Sequence, residues 1–140
     1  MRVFLVVGAW MLGVLAVLAL AGFILWSNYG REYVDAIQTA AQEGAAIGKS
    51  KDDGSCYALT LDKLKACDSF KCTLETKTFA SSCFRSTRVQ TGFCEDVPRI
   101  SNVVKYLSWL GDTCEEAAPD NDNCGKVLEE VVKYCSSRSH

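Results

Sequence analysis

The sequence predicts an all-α protein in which a single N-terminal transmembrane helix precedes disulfide-stapled helical hairpins. Three observations indicate this class: an unbroken apolar run near the N-terminus, eight cysteines that all follow residue 55, and a spacing of eleven that recurs between cysteines. The 140 residues correspond to at most one globular domain. The net charge of -2 gives no electrostatic reason to expect nucleic acid as a partner.

The apolar run covers residues 3–26 and contains no charged side chain. A helix of this length rises about 36 Å, which exceeds the ~30 Å hydrocarbon core of a bilayer. Trp26 and Tyr29 lie where interfacial aromatic residues are expected. Ala19 and Ala21 offer an alternative, the cleavage site of a signal peptide. Because the apolar run continues past them to Trp26, a retained membrane segment over residues 1–27 is favoured.

The location follows from the cysteines, which require an oxidising compartment. We expect the N-terminus in the cytoplasm and the cysteine-rich region in the periplasm, with the span in a bacterial inner membrane. A mitochondrial inner membrane facing the intermembrane space satisfies the same chemistry. Within the span, Ala9 and Gly13 are four residues apart, as in closely packed helix pairs. They predict a second membrane helix as partner, although glycine and alanine are also common in membrane helices without such a role.

Residues 28–49 predict a juxtamembrane helix with a small residue at every fourth position, at Ala36, Ala40, Gly44 and Gly48. Such a ridge permits close approach of another backbone, so Ala40 and Gly44 are candidate partner contacts. The alternative is a semi-rigid stalk, which is slightly favoured because each glycine weakens an unsupported helix by ~1 kcal/mol. The polar residues that follow predict a domain boundary, with a cysteine-rich domain over residues 50–140.

The first four cysteines predict one helical hairpin. Cys56 and Cys67 are eleven residues apart, as are Cys72 and Cys83, and eleven residues make almost three helical turns. Each pair therefore lies on one helix face, and the hairpin pairs Cys56 with Cys83 and Cys67 with Cys72. This half resembles the twin Cys-x(n)-Cys hairpins of the coiled-coil-helix family. Ten residues stand between its cysteines, one more than usual in that family, and the resemblance implies an architecture but no function.

The second half predicts two further helices. Pro98 suits the first turn of one helix, and the helix-breaking segment 118–123 ends it. Asp122 or Asn123 is expected to cap the next helix. The residues predicted to face the core are Ile100, Val103, Val104, Leu107, Gly111 and Cys114 in the first helix, and Val127, Leu128, Val131, Val132 and Cys135 in the second.

The other four cysteines form two further pairs. Cys114 and Cys124 stand at the two ends of the connecting loop, which makes them a local pair. Cys94 and Cys135 are then left, and a straight hairpin would hold them too far apart. Either Cys94 bends back or the two halves exchange a bridge, since eight cysteines allow 105 pairings.

Catalytic and metal-binding patterns are missing from the sequence. No Cys-x-x-Cys pair occurs, and the single histidine, His140, is the last residue. Asp120, Asp122 and Gly125 match the start of a calcium loop, but Val131 stands where the bidentate glutamate is needed. We therefore expect no enzyme activity, no cofactor, no metal and no small-molecule substrate.

Trp109 and Tyr106 lie opposite the predicted core stripe of their helix. They are either covered by another part of the chain or presented to a partner, since tryptophan and tyrosine are common interface residues. The favoured function is a non-catalytic accessory subunit of a membrane protein complex, with the bilayer and other membrane-protein subunits as partners. The alternative is an anchored binder or inhibitor, of the immunity type, for a soluble extracytoplasmic target.

Overall fold

The computed structural model describes residues 2–138, without the side chains of residues 2–7, 9, 28 and 29. These residues form helices and connecting turns, with one isolated β-bridge between Asp52 and Arg88. The predicted all-α class and the predicted disulfides are confirmed. The helices are α1 (Arg2–Leu25), α2 (Arg31–Ser50), α3 (Asp53–Lys65), α4 (Phe70–Ser86), α5 (Val103–Ala117) and α6 (Cys124–Arg138), with a π-helical turn (Trp26–Gly30) between α1 and α2.

The backbone contacts divide the chain into two compact units, Met1–Asp35 and Ala36–His140. The first contains α1, the π-helical turn and the start of α2. Among the residues that the structure describes, no helix is both long enough and apolar enough to cross a membrane. The second unit begins inside α2, which differs from the boundary at residues 49 and 50 that the sequence predicts.

The small-residue ridge of α2 packs against α4. Ala40, Gly44 and Gly48 are buried. A Cβ atom at Gly44 would overlap the carbonyl oxygen of Phe79, and one at Gly48 would overlap that of Cys83. Residues 36–50 are therefore part of the folded body, and the free-standing stalk expected there is not found.

The segment expected to be a polar linker is a tight turn between α2 and α3. The Asp52 side chain caps α3 by accepting a hydrogen bond from the Ser55 amide at 2.7 Å. Asp53, the next residue, is fully buried. The two charged residues of this polar segment thus serve a helix N-terminus and a buried polar network.

Helices α3 and α4 form the predicted hairpin, with both predicted bridges, Cys56–Cys83 and Cys67–Cys72. At the turn, the Ser69 side chain caps α4 by accepting a hydrogen bond from the Cys72 amide at 3.3 Å. The helices are held by a core that includes the fully buried side chains of Leu64 and Phe79.

The bridge between Cys94 and Cys135 forms because Cys94 bends back towards α6, which is the first of the two alternatives. Residues 87–102 cross the body before α5 begins. Helix α5 starts after Asn102, whose side chain accepts a hydrogen bond from the Lys105 amide at 3.3 Å. The start predicted at Pro98 is wrong because the residues around it are used to bring Cys94 and Val97 onto the core.

The last helix is joined to α5 by the predicted bridge Cys114–Cys124. Asn123, one of the two predicted caps, directly precedes the helix, and the turn before it is ordered by Asn121. The Asn121 side-chain oxygen accepts from the Asn123 amide at 3.0 Å, while its amide nitrogen donates to the Cys67 carbonyl at 3.3 Å. Asn121 therefore shapes the turn and ties it to the end of α3. The predicted inner face of α6 is confirmed, since its members are all buried: Val127, Leu128, Val131, Val132 and Cys135.

Candidate functional site

Helix α5 and the turn before it carry an exposed apolar surface, which we call the α5 face and define as Ile100, Val103, Val104, Leu107 and Gly111. The exposed fractions of the first four side chains are 45%, 58%, 80% and 59%. These residues were predicted to face the core, and that prediction is wrong. Single exposed apolar side chains are common in proteins, but a contiguous row of them marks a surface available for contact.

The inner surface of α5 is the other side of the helix. Trp109, Leu110 and Cys114 pack against the core, and Ala117 is buried at the end of the helix. Both sides of α5 are apolar, so periodicity alone could not decide which one is buried. Turning the larger Trp109 inward buries more apolar surface than turning a valine inward. The bridge from Cys114 to α6 fixes the same orientation.

Trp109 is therefore covered by another part of its own chain, which is one of the two alternatives that the sequence left open. It lies half-buried against the core, and Tyr106 is half-buried on the same helix. Their assignment as partner contacts stays a prediction, and the chain's own core already uses Trp109.

Gly111 lies in the middle of α5, on the exposed face. A Cβ atom at this position would meet no heavy atom within 4 Å, unlike the buried glycines of α2. Its backbone has no positive φ angle, which within the described residues is confined to Gly92. A helix-interior glycine costs about 1 kcal/mol relative to alanine. The chain's own fold thus gives no reason for a glycine here, and close approach of another molecule would give one.

Exposed charges of both signs lie before α5 and along it. Arg99 lies in the turn before the helix, and Lys105 lies in its first turns. Asp112 and Glu115 lie towards its C-terminal end. Lys105 and Asp112 are two and five residues from Leu107, which places them about 160° and 140° around the helix axis from it, outside the α5 face. The sequence prediction assigned the α5 face to the core and therefore did not identify it as a surface.

A buried polar network joins three parts of the second unit. The Asp53 carboxylate accepts hydrogen bonds from the backbone amide of Gln90 at 3.1 Å and from the Tyr134 hydroxyl at 3.1 Å. It thereby links the start of α3, the segment 87–102 and α6. The Tyr134 ring packs against Phe84, with the ring centroids 5.0 Å apart. The network has the features of a structural brace, because the Asp53 carboxylate and the Tyr134 hydroxyl are buried and satisfy each other.

Alkaline pH is expected to weaken this network through Tyr134. Burial and the neighbouring Asp53 carboxylate raise the pKa of Tyr134 from 10.0 to about 12. The stabilisation from the protonated hydroxyl is complete below pH 10, and it is lost as the pH rises from 10 towards 12, because the unfolded chain releases its proton first. The loss should reach roughly 2 kcal/mol in the free energy of unfolding.

The measurement is urea unfolding of the full-length chain at pH 9 and at pH 11.5, followed by circular dichroism. Tyr134→Phe is the control: it should be less stable than the native chain at pH 9, because the Asp53 carboxylate loses a donor, and it should lose less stability on the rise to pH 11.5. An equal loss in both chains would show that Tyr134 does not couple to folding.

An open groove runs between the segment 87–102, α5 and α6, beside the Cys94–Cys135 bridge. Both signs of charge line it, and its described lining residues include neither a histidine nor a free thiol. Within the described residues, no group of three histidine, cysteine, aspartate or glutamate side chains is placed to hold a metal ion.

The remaining predicted partner contacts fall into three groups. Ala40 and Gly44 are buried within this chain's own fold, where Gly44 packs against the backbone of α4. Gly13 is exposed on α1, and a Cβ atom there would meet no heavy atom within 4 Å. The side chain of Ala9 lies outside the described residues, so its role, like that of Gly13, stays a prediction.

Comparison with protein-family models, with curated proteins and with solved structures finds no match for this chain.

Proposed function

We propose that this protein is a non-catalytic interaction subunit of a membrane protein complex, held at the bilayer by its N-terminal helix and docked through the α5 face. The observation that carries the proposal is the α5 face itself. Four disulfides and a well-buried core close the second unit, yet Val104 and its apolar neighbours are left exposed in a row. Contiguous exposed apolar surface marks sites of contact with a protein or a membrane.

The membrane attachment is supported by the sequence of α1. Residues 3–26 contain no charge, and the described side chains of α1 are apolar and exposed over its length. An apolar helix with no polar face needs an apolar surrounding. The exposed large side chains of this segment are Trp10, Met11, Leu12, Val14, Leu15, Val17, Leu18, Leu20, Phe23, Ile24, Leu25 and Trp26.

The compartment is supported by the cysteines. All eight are paired in disulfides, and such bridges persist in oxidising compartments. We therefore place the second unit in the periplasm, with the N-terminus in the cytoplasm. The intermembrane space of mitochondria would provide the same chemistry.

Photo-crosslinking in native membranes tests the docking surface. A p-benzoylphenylalanine in place of Val104 should give a protein adduct. The same residue in place of Glu116, which is exposed on α5 but outside the apolar face, should not. In the Val104-labelled chain, Leu107→Asp should reduce the adduct at least about tenfold, as expected for a central contact of an interface. Its free energy of unfolding should change by less than ~0.5 kcal/mol, because Leu107 is exposed.

Equal labelling from both positions, or an adduct that survives Leu107→Asp, would contradict docking through this face. Exchange of α1 for an unrelated membrane span of the same length separates the two functions that the sequence allows. Loss of the partner on this exchange would show that the span itself also packs against the partner, as an accessory subunit of a membrane complex allows. An anchored binder of a soluble target keeps it, because the anchor then serves only as a tether.

A further inference from the structure

The Cys67–Cys72 bridge differs from the other three disulfides in its exposure. Each of the others contains at least one buried cysteine, and these buried residues are Cys56, Cys83, Cys124 and Cys135. Cys67 and Cys72 are both half-buried. A thiol must reach a sulfur atom before it can exchange with a disulfide. We infer that this bridge is a reversible modification site, which a dithiol reductant opens by attack on Cys72.

An open cleft between α2, α3 and α4 exposes one residue of the bridge. Cys72 lines the cleft together with Thr76 and Phe79 of the same helix, whereas Cys67 is not among its described lining residues. The side chains that α2 and α3 contribute include the alanines at positions 36, 40 and 66, which leave room beside the bridge. An incoming thiol therefore reaches Cys72 before it reaches Cys67.

The charges of the cleft do not prevent the approach of a thiolate. The acidic side chains described there are Glu43 and Glu75, and each has a lysine beside it. The Lys63 ammonium lies 3.0 Å from the Glu43 carboxylate, and the Lys71 ammonium lies 4.0 Å from that of Glu75. Because opposite charges at these distances offset each other, the cleft presents little net charge to an anion.

The Thr76 hydroxyl is placed to assist the departure of Cys67. Thr76 is almost fully buried, one helical turn after Cys72, and its hydroxyl oxygen lies 3.3 Å from the Cys67 sulfur. A disulfide sulfur carries no hydrogen, so the hydroxyl is the donor in this contact. Hydrogen bonds to an ionised acceptor are stronger than those to a neutral one. The contact should therefore strengthen as negative charge gathers on Cys67.

The exchange proceeds in two steps and transfers two electrons. A thiolate of the dithiol attacks the Cys72 sulfur and forms a mixed disulfide, and the bond to Cys67 breaks with its electron pair on Cys67. The second thiol of the reductant loses its proton to water, attacks its own partner sulfur in the mixed disulfide and releases Cys72. The reductant leaves as a disulfide, and both cysteines take up protons from water.

Opening this bridge should loosen two turns while the fold stays in place. Its sequence separation of 5 is the smallest of the four bridges, so chain entropy gives it the smallest share of the stability. The Cys67 carbonyl accepts a hydrogen bond from the Asn121 side chain, which shapes the turn before α6. Reduction thus frees the α3–α4 turn and the turn tied to it, and the Cys56–Cys83 bridge keeps the hairpin closed. The site is separate from the α5 face and does not depend on the proposed function.

Timed reduction of the full-length chain in detergent micelles tests the site. Dithiothreitol is added, free thiols are trapped at intervals with N-ethylmaleimide, and the trapped residues are mapped by mass spectrometry after digestion with trypsin. Cys67 and Cys72 should be labelled at least about tenfold faster than the other cysteines, whose bridges open only with local unfolding. The helical circular dichroism signal should be retained at that stage.

A monothiol identifies the sulfur that is attacked. With reduced glutathione in place of dithiothreitol, the first product is the mixed disulfide, and N-ethylmaleimide caps the sulfur that has left. Trypsin cleaves after Lys71, which lies between the two cysteines in the sequence and places them in different peptides. Glutathione should be found on the peptide that contains Cys72, and N-ethylmaleimide on the peptide that contains Cys67.

Variants of Thr76 test the role of its hydroxyl. Thr76→Val should slow the opening of the bridge about fivefold, because the departing sulfur loses its donor. A merely structural defect would speed the opening, since a loosened fold exposes the bridge. Thr76→Ser keeps the hydroxyl and should open within about twofold of the native rate. Thr78→Val, which removes a hydroxyl that donates to the Leu74 carbonyl at 2.8 Å, is the matched control and should leave the rate unchanged.

The inference is overturned if another bridge is reduced first, such as Cys94–Cys135 beside the groove, or if all four open together with loss of the helical signal. Glutathione on Cys67 would contradict attack through the cleft. A Thr76→Val chain that opens at the native rate or faster would contradict the role of the hydroxyl. None of these results alters the crosslinking expected from Val104, so failure here is distinct from failure of the proposed function.

Discussion

Replacement of both Cys56 and Cys83 by alanine is expected to lower the free energy of unfolding by about 4 kcal/mol. The bridge closes a loop with a sequence separation of 27, for which chain entropy alone gives about 3.6 kcal/mol. Both residues are fully buried between α3 and α4, so the loss of two sulfur atoms from the core adds to this effect. The measurement is urea unfolding of the full-length chain, followed by circular dichroism.

The matched control is the double alanine variant at Cys67 and Cys72. Its loop has a sequence separation of only 5, which corresponds to about 2 kcal/mol. The hydrogen bond from the Cys72 amide to the Ser69 side chain is kept in this variant and continues to cap α4. Because both cysteines are removed in each variant, no unpaired thiol is left to exchange with the other bridges. An equal loss of stability in the two variants would show that the buried bridge is not the principal constraint.

The disulfide pattern could be predicted because it depends on local geometry. A spacing of eleven fixes which face of a helix each cysteine occupies, and the short turn between Cys67 and Cys72 leaves few ways to close the hairpin. The pairing of Cys94 with Cys135 depends on a bend in residues 87–102, and that bend has no periodic signal in the sequence. The sequence predicts the pairing of Cys94 with Cys135 only by elimination of the local pairs.

The orientation of α5 could not be predicted because both sides of the helix are apolar. Val103 and Leu107 match a helical stripe as well as Trp109 and Leu110 do. The choice between them is made by tertiary contacts, through the bridge from Cys114 and the packing of Trp109 against the core. The candidate site was therefore mistaken for core, while the residue expected to face a partner packs against the core.

Asp53 gives a second example of a limit set by tertiary structure. Residues 49–55 are polar, and polar runs between helical segments are normally solvated connections. Nothing local indicates that the Tyr134 hydroxyl, 81 positions away in the sequence, will donate to this carboxylate. The N-cap at Asp52 was accessible to sequence reasoning, since an aspartate three residues before Ser55 is a common cap pattern, but the burial of its neighbour was not.

Gly44→Ala should destabilise the protein by about 3 kcal/mol, and the sign of this effect decides between two structures of α2. In a free-standing stalk the substitution would stabilise the helix by about 1 kcal/mol, because alanine is the better helix former. In the packed helix the added Cβ atom would overlap the Phe79 carbonyl, which belongs to the backbone of α4 and cannot rotate away. Relief then requires α2 to move off α4, and overpacking of this kind costs roughly 1 to 3 kcal/mol or more.

The comparison is made by urea unfolding of the full-length chain, with Gly111→Ala as the matched control. Both substitutions place the same methyl group in the interior of a helix, so their intrinsic helix propensities cancel. The control position has no heavy atom within 4 Å of the new Cβ atom, and its variant should be more stable than the native chain when measured as a monomer. A stabilising effect at both positions would indicate that α2 is a free-standing stalk. Opposite signs would place the boundary of the folded body inside α2, where the backbone contacts place it.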